Sequence, residues 1–202
     1  DAIPSAPDQL GRMAGLSPAM TGCLPEAFRQ FLSFLQSEVP ASDIAALAAH
    51  GQITPHDLRI ELAGPVGEQN TYRLTPRGDV LCVATARAAA MRQIAAALAT
   101  GNRALVCCTE DFPELDRLPD PLRHSIVPCK PGTPPAAAAA LFDGTPDALL
   151  RLNAQLAIRD GPIVPVFVAS AGRYPLEFLL MEQAISINTA AAGGNASLMM
   201  IG

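Results

Sequence analysis

The sequence predicts an α/β fold: a Rossmann-like parallel sheet flanked by helices, with a small antiparallel β-flap and an N-terminal helical segment. Three observations carry this. Val80–Ala84 and Arg103–Cys108 read as strands buried on both faces, and between them Ala86–Thr100 places Met91, Ile94 and Leu98 at helical spacing. That β-helix-β unit packs right-handed onto a parallel sheet. Further strand–helix alternation follows it, and ahead of it two short alternating segments flank a Gly/Pro turn, the pattern of a hairpin.

Residues 1–20 read as a linker, since Asp1–Pro7 is rich in Pro, Ala and Ser; the absence of a starting Met reads as a fragment of something longer. Residues 21–60 form the helical segment. Leu24–Gln36 puts Leu24, Phe28, Phe31, Phe34 and Leu35 on one apolar face. Ser42 and Asp43 open a second helix, Ile44–His50, with Gly51 just past its end. Residues 61–183 hold the Rossmann part with its hairpin. Leu58–Leu62 alternates as a strand, Gly64, Pro65 and Gly67 turn, and Asn70–Leu74 returns.

After the β-helix-β unit, Ser125–Val127 is a short strand and Ala136–Phe142 an Ala-rich helix. A helix to about Ile158 starts with Thr145 as N-cap and Pro146 at its first position. Ile163–Ala169 is a strand that Pro165 confines to an edge or an end. Pro175–Glu182 is a helix. Residues 184–202 are the flap strand and tail.

Composition narrows the function. The net charge is −5, the pI about 5.1, and no Lys/Arg run occurs, which argues against a nucleic-acid partner. No apolar run reaches the ~20 residues that span a bilayer, and no signal peptide is visible, so a cytoplasmic protein is expected. Five Cys (Cys23, Cys82, Cys107, Cys108, Cys129) without regular spacing read as free thiols rather than a disulfide framework.

The tail carries the functional signal. Gln183–Gly202 has no charged side chain. Ile185 and Ile187 alternate with Ala184, Ser186 and Asn188, a strand period. Gly193, Gly194 and Asn195 give a turn, and Leu198, Met199, Met200 and Ile201 an apolar tip. A bare strand edge with such a tip invites pairing, so it needs a cover. The interface set is therefore Ile185, Ile187, Asn188, Gly193, Gly194, Asn195, Leu198, Met199 and Ile201. Gly193-Gly194 as a phosphate cradle is the weaker reading, because no helix follows to supply a dipole.

Residues 76–84 and 94–102 resemble the start of the nucleotide-binding domain of the aldehyde dehydrogenase superfamily. Residues 64–74 resemble the hairpin preceding it in glutamate-semialdehyde dehydrogenases, and residues 185–202 resemble the C-terminal motif of long proline utilization A proteins. The departures bear on chemistry. Where the superfamily has Pro-Trp-Asn-(Phe/Tyr)-Pro, this chain has Thr85-Ala86-Arg87-Ala88-Ala89; where it has a Lys-Pro pair binding adenosine ribose, this chain has Cys107-Cys108, with only Glu110 keeping its expected type. Losing the Lys removes roughly 1.5–3 kcal/mol of charge-assisted hydrogen bonding, a roughly ten- to hundredfold weaker grip on a dinucleotide. No Glu-Leu-Gly-Gly and no Gly-Gln-x-Cys motif occurs.

The resemblance thus implies a degenerate domain without catalytic, cofactor-binding or metal residues of its own, in a parent enzyme that uses FAD and NAD to take proline to glutamate. Its implied partner is the semialdehyde dehydrogenase domain of the same polypeptide or its dimer mate, whose internal tunnel it would cover. A dinucleotide-binding enzyme or nucleotide sensor, and an oligomerisation scaffold, are the alternatives. Smaller features read as structural. Cys107 and Cys108 sit at a strand end, one inward and one outward; Cys129 near His124 lacks a third partner; His50 and His56 lie at a helix end and a turn, as caps or surface residues; and Asp111, Glu114, Asp116 and Asp120 form a solvated acidic loop.

Overall fold

The computed structural model describes residues 24–129 and 134–188. Two helices come first, α1 (Glu26–Leu35) and α2 (Ala41–Ile53). Phe28, Phe31 and Leu35 recur at helical spacing on α1, and all three are buried. The second helix runs further than its caps predict. Gly51 lies inside it, not past its end, because a Cβ there would stand 2.7 Å from the Phe28 ring. The glycine serves close packing of α2 on α1.

Strands β1 (Arg59–Leu62) and β2 (Glu68–Pro76) form the expected hairpin, with Gly67 at φ +93° in the turn. Next come β3 (Asp79–Ala84), α3 (Arg87–Ala99) and β4 (Arg103–Cys108), the β-helix-β unit in the predicted register. A short helix α4 (Asp120–Arg123) leads to β5 (Ile126–Pro128).

The Ala-rich run then departs from expectation. It is not a helix: Ala139–Phe142 is strand β6, paired with β3 on one side. Its four residues are essentially inaccessible, so burial on both faces overrides the helix propensity of alanine. Helix α5 (Pro146–Ala157) follows, and Thr145 caps it as predicted by accepting from the Ala148 N–H at 3.3 Å. Among the described residues strand β7 (Val166–Val168) pairs only with β6, an edge position consistent with Pro165 just before it.

The expected helix Pro175–Glu182 is also corrected. Only Leu176–Leu179 turns, as a 3-10 segment, and Leu180 already begins strand β8 (Leu180–Asn188). Every β8 residue from Leu180 to Asn188 pairs antiparallel with β2, and this ladder sets where the helix must stop.

The parallel sheet therefore runs β5-β4-β3-β6-β7, and the flap sheet β1-β2-β8. One core cluster joins α1, α2 and α3 to one face of the parallel sheet; a second sets Leu152 and Leu156 of α5 against Leu81, Leu105 and Phe142 on the other. Asn102, just before β4, links the two sheets. Its Oδ1 accepts the Gly78 N–H at 2.8 Å, and its Nδ2 donates to Leu179 O at 2.8 Å and Thr100 Oγ1 at 2.7 Å.

Candidate functional site

In an open parallel sheet, ligands bind outside the carboxyl ends of the strands, where the strand order reverses. Here that switch point lies between β3 and β6, the two strands that leave the sheet's centre in opposite directions. The polar groups there are largely engaged with one another, although Gln93 Oε1 is buried without a partner among the described residues. Thr85 Oγ1 donates to the Asp143 carboxylate at 3.1 Å. Gln93, fully buried on α3, donates to Val83 O at 2.9 Å and to the Tyr174 hydroxyl at 2.9 Å. That hydroxyl donates in turn to Phe142 O at 3.4 Å. Tyr174 is 4% exposed, and burial raises its phenol above the ordinary range. It thus bonds to the end of β6 directly and to the end of β3 through Gln93.

The N-terminus of α3 is likewise occupied. Ala86 offers no side-chain cap, and the Glu110 carboxylate fills the role by accepting the Arg87 N–H at 2.6 Å. Arg87 turns its guanidinium to Glu114, Nη1 to Oε1 at 2.9 Å. Glu114 is 3% exposed, so the acidic loop is not uniformly solvated: one carboxylate is drawn in by the arginine. A pyrophosphate at this crevice would face Asp143 and Glu110, like charges close by.

The thiols contribute no positive charge. Cys107 and Cys108 point to opposite faces of β4, as alternation requires. Cys129 lies beside Cys107 across the β4–β5 ladder rather than with His124. Burial pushes the Cys107 thiol up to about 12 and the Cys82 thiol higher still, so both stay protonated at neutral pH. Among the described residues, no three His, Cys, Asp or Glu side chains gather as a metal site. No helix there is long and apolar enough to cross a membrane.

The flap presents the other candidate surface. Strand β8 is an edge of its sheet, paired with β2 alone among the described residues. Ile185 sits half-buried opposite Thr71, Ile187 is 50% exposed opposite Gln69, and Asn188 faces Glu68 across the ladder. Met181 continues their exposed face. Gly193, Gly194, Asn195, Leu198, Met199 and Ile201 lie outside the described residues. Tyr174 is not visible as a site residue in the sequence, because it acts on partners brought near only by the sheet; Glu110 stands out there through the resemblance, but not as the cap of α3. The one local signal is that α3 begins at Ala86 with no capping side chain of its own.

Comparison with known proteins gives this arrangement its relatives. No family model matches the chain. The bifunctional protein PutA of Rhizobium meliloti is 35% identical over 181 residues, covering 85% of this chain and 15% of that protein. PutA of Escherichia coli (strain K12) is 39% identical over 163 residues, 78% of this chain and 12% of that protein. The chain is a relative of one segment of PutA. It thus spans under a sixth of the length of these curated relatives. Solved PutA structures share the fold: a bifunctional proline utilization A protein superposes with a TM-score of 0.53 over 84% of this chain and 22% of its own, at 21% identity. A mutant PutA from Bradyrhizobium japonicum gives 0.52 over 83% and 22%, also at 21% identity.

Proposed function

We propose that this chain is the non-catalytic lid and interaction domain of a PutA-type bifunctional enzyme of proline breakdown. In that reading the parent uses FAD to oxidise proline and NAD to convert glutamate semialdehyde to glutamate. This domain covers the tunnel through which the semialdehyde passes between the two sites. Its partner is the semialdehyde dehydrogenase domain of the same polypeptide or of a dimer mate. Residues 1–20 serve as connector, 21–60 and the Rossmann part as platform, and the strand and tail that end at residue 202 as the docking element.

The observation that carries the reading is the outer edge of β8, nine residues long and paired on one side only among the described residues, with Ile185 and Ile187 on its face. Such an edge receives a strand from another domain through main-chain hydrogen bonds, with apolar anchors excluding water. The crevice supports a non-catalytic role, since Tyr174 and Gln93 are bonded to its strand ends and Asp143 and Glu110 oppose a pyrophosphate.

The test removes residues 185–202 from the full-length polypeptide. Coupled conversion of proline to glutamate is expected to fall while the first oxidation keeps its rate. Unchanged coupled flux would refute the lid. Saturable NAD binding by this domain, shown by loss of one binding stoichiometry when the domain is removed from the full-length polypeptide, would refute its non-catalytic nature.

A further inference from the structure

We propose that Cys107 and Cys129 form a reversible disulfide across the β4–β5 ladder, a modification site whose co-reactant is a low-molecular-weight disulfide such as oxidised glutathione. The parallel register sets the two residues side by side. Ala104, Leu105 and Val106 pair with Ile126, Val127 and Pro128, and the Cys129 N–H carries the ladder one step further by donating to Val106 O at 2.8 Å. Cys107 is the residue that this register brings opposite Cys129. Neighbouring strands stand about 4.8 Å apart, inside the span of Cα separations, about 4.4–6.8 Å, that a disulfide bridges. The site lies apart from the β8 edge, and the inference does not depend on the lid.

Both side chains pack on the cluster of Leu81, Leu105 and Phe142, the face of the sheet that α5 covers, while Cys108 packs on the other face. Both are free thiols, half-buried rather than sealed off. The sulfurs are close enough to act on each other: contact with Cys107 favours the Cys129 thiolate, and contact with Cys129 disfavours that of Cys107. Cys129 is thus the easier of the pair to ionise and the one that attacks first. It lies just past the end of β5, outside the strand. A bridge between directly opposed strand residues carries some strain, which leaves it easy to reduce.

The exchange balances in two steps. The Cys129 thiolate attacks one sulfur of oxidised glutathione, forming a mixed disulfide and releasing one glutathione thiolate. The Cys107 thiolate then attacks the Cys129 sulfur, closing the bridge and releasing the second glutathione. Two protein thiols are oxidised, one small disulfide is reduced to two thiols, and the two protons pass to the released glutathione. Burial keeps both protein thiolates scarce at neutral pH, so the exchange is slow. Once the mixed disulfide has formed, Cys107 is already held beside it, which favours closure over a second adduct. The bridge fastens an edge of the sheet. Strand β5 has three residues and ends at Pro128, which has no N–H to give the ladder. The loop that the bridge closes, residues 107–129, carries Glu110, the cap of α3, and Glu114, the partner of Arg87.

The test incubates the reduced full-length polypeptide with oxidised glutathione at about pH 8, where more thiolate is present, then blocks the remaining thiols and digests with trypsin without reductant. Cleavage after Arg103, Arg117, Arg123 and Arg151 leaves Cys107 on residues 104–117 and Cys129 on residues 124–151. Mass spectrometry is expected to find these two peptides joined, lighter by two hydrogens than their sum and separated again by reductant. The joined species should persist in Cys108→Ser and vanish in Cys107→Ser and Cys129→Ser, with Cys107→Ser holding a glutathione adduct on Cys129 instead. Hydrogen exchange at Ile126 and Val127 should slow on oxidation and recover on reduction. Three results would overturn the assignment: no joined species, a joined species that needs Cys108 in place of Cys107, or exchange at Ile126 and Val127 that oxidation leaves unchanged.

Discussion

Asn102→Ala would cut the polar tie between the flap and the parallel sheet. The wild-type side chain is 3% exposed and makes three hydrogen bonds, to the Gly78 N–H, Thr100 Oγ1 and Leu179 O. These partners differ in what they lose. Gly78 N–H becomes a donor without an acceptor, at about 1–3 kcal/mol. Leu179 O keeps a second donor, Arg77 N–H at 3.3 Å, and Thr100 Oγ1 keeps its own donation to Ala96 and Ala97. Each of those losses is an ordinary net hydrogen bond, about 0.5–1.5 kcal/mol. The sum is roughly 2–6 kcal/mol, a large part of the stability of a domain this size. Denaturant unfolding should show a lower midpoint at unchanged slope. Hydrogen exchange should speed most at Leu180 and Met181, where β8 begins, and less in β4. A loss below about 1 kcal/mol, or exchange that rises evenly through both sheets, would refute the view that Asn102 couples them.

Gly51→Ala should lower the melting temperature despite alanine's better helix propensity: the new Cβ meets the Phe28 ring at 2.7 Å, and overpacking by about 1–3 kcal/mol exceeds a gain of at most about 1. A raised melting temperature would show that Phe28 yields freely. Arg87→Met leaves Glu114 buried without its cation and should destabilise by about 1–3 kcal/mol, less than for a fully buried pair because Arg87 is partly solvated; adding Glu114→Gln should recover part of the loss, as equilibrium unfolding would register. His50 has a folded pKa below its ordinary 6.5, so the unfolded chain takes up the proton first: stability should fall as pH drops below 6.5 and level off only once the folded ring also protonates. His50→Gln should flatten that step in urea midpoints measured across the range, and an unchanged slope would place the titration elsewhere.

How much of this was legible in the sequence depended on the distance over which each signal acts. The amphipathic face of α1, the Thr145 cap, the apolar runs of β3 and β4 and the edge position of β7 are set within a few residues, and each appears where the pattern puts it. The run Ala136–Phe142 misled because alanine favours a helix locally, while the strand is imposed by β3 and β7 on either side. Gly51 misled because a glycine near a helix end looks like a stop signal, and only the Phe28 ring shows it to be a contact point. His50 looked like a surface cap and is buried, since its neighbours Arg92 and Arg173 come from elements that the chain reaches much later. At the crevice, Cys107 and Cys108 announced a missing cation. The capping role of Glu110, the Thr85–Asp143 bond and the Tyr174 contacts could not be foreseen, because each depends on which strand ends meet.

These long-range contacts explain why a sheet built like a dinucleotide fold is compatible with a purely mechanical task. The donors at its switch point are spent on internal fastening. Glu110 satisfies the first turn of α3, Thr85 and Asp143 join the ends of β3 and β6, and Tyr174 ties the segment leading to β8 onto both strands through Gln93. A ligand site needs unsatisfied donors held ready; a platform needs them closed. Closing them stiffens the base from which β8 departs, and Asn102 fixes its first residues to that base. An edge strand offered to another domain binds more tightly when it is already held in place, since less ordering remains to be done on contact. In the proposed lid reading, the crevice fastened by these bonds and the exposed edge are parts of one design, with rigidity behind the flap and pairing capacity in front of it.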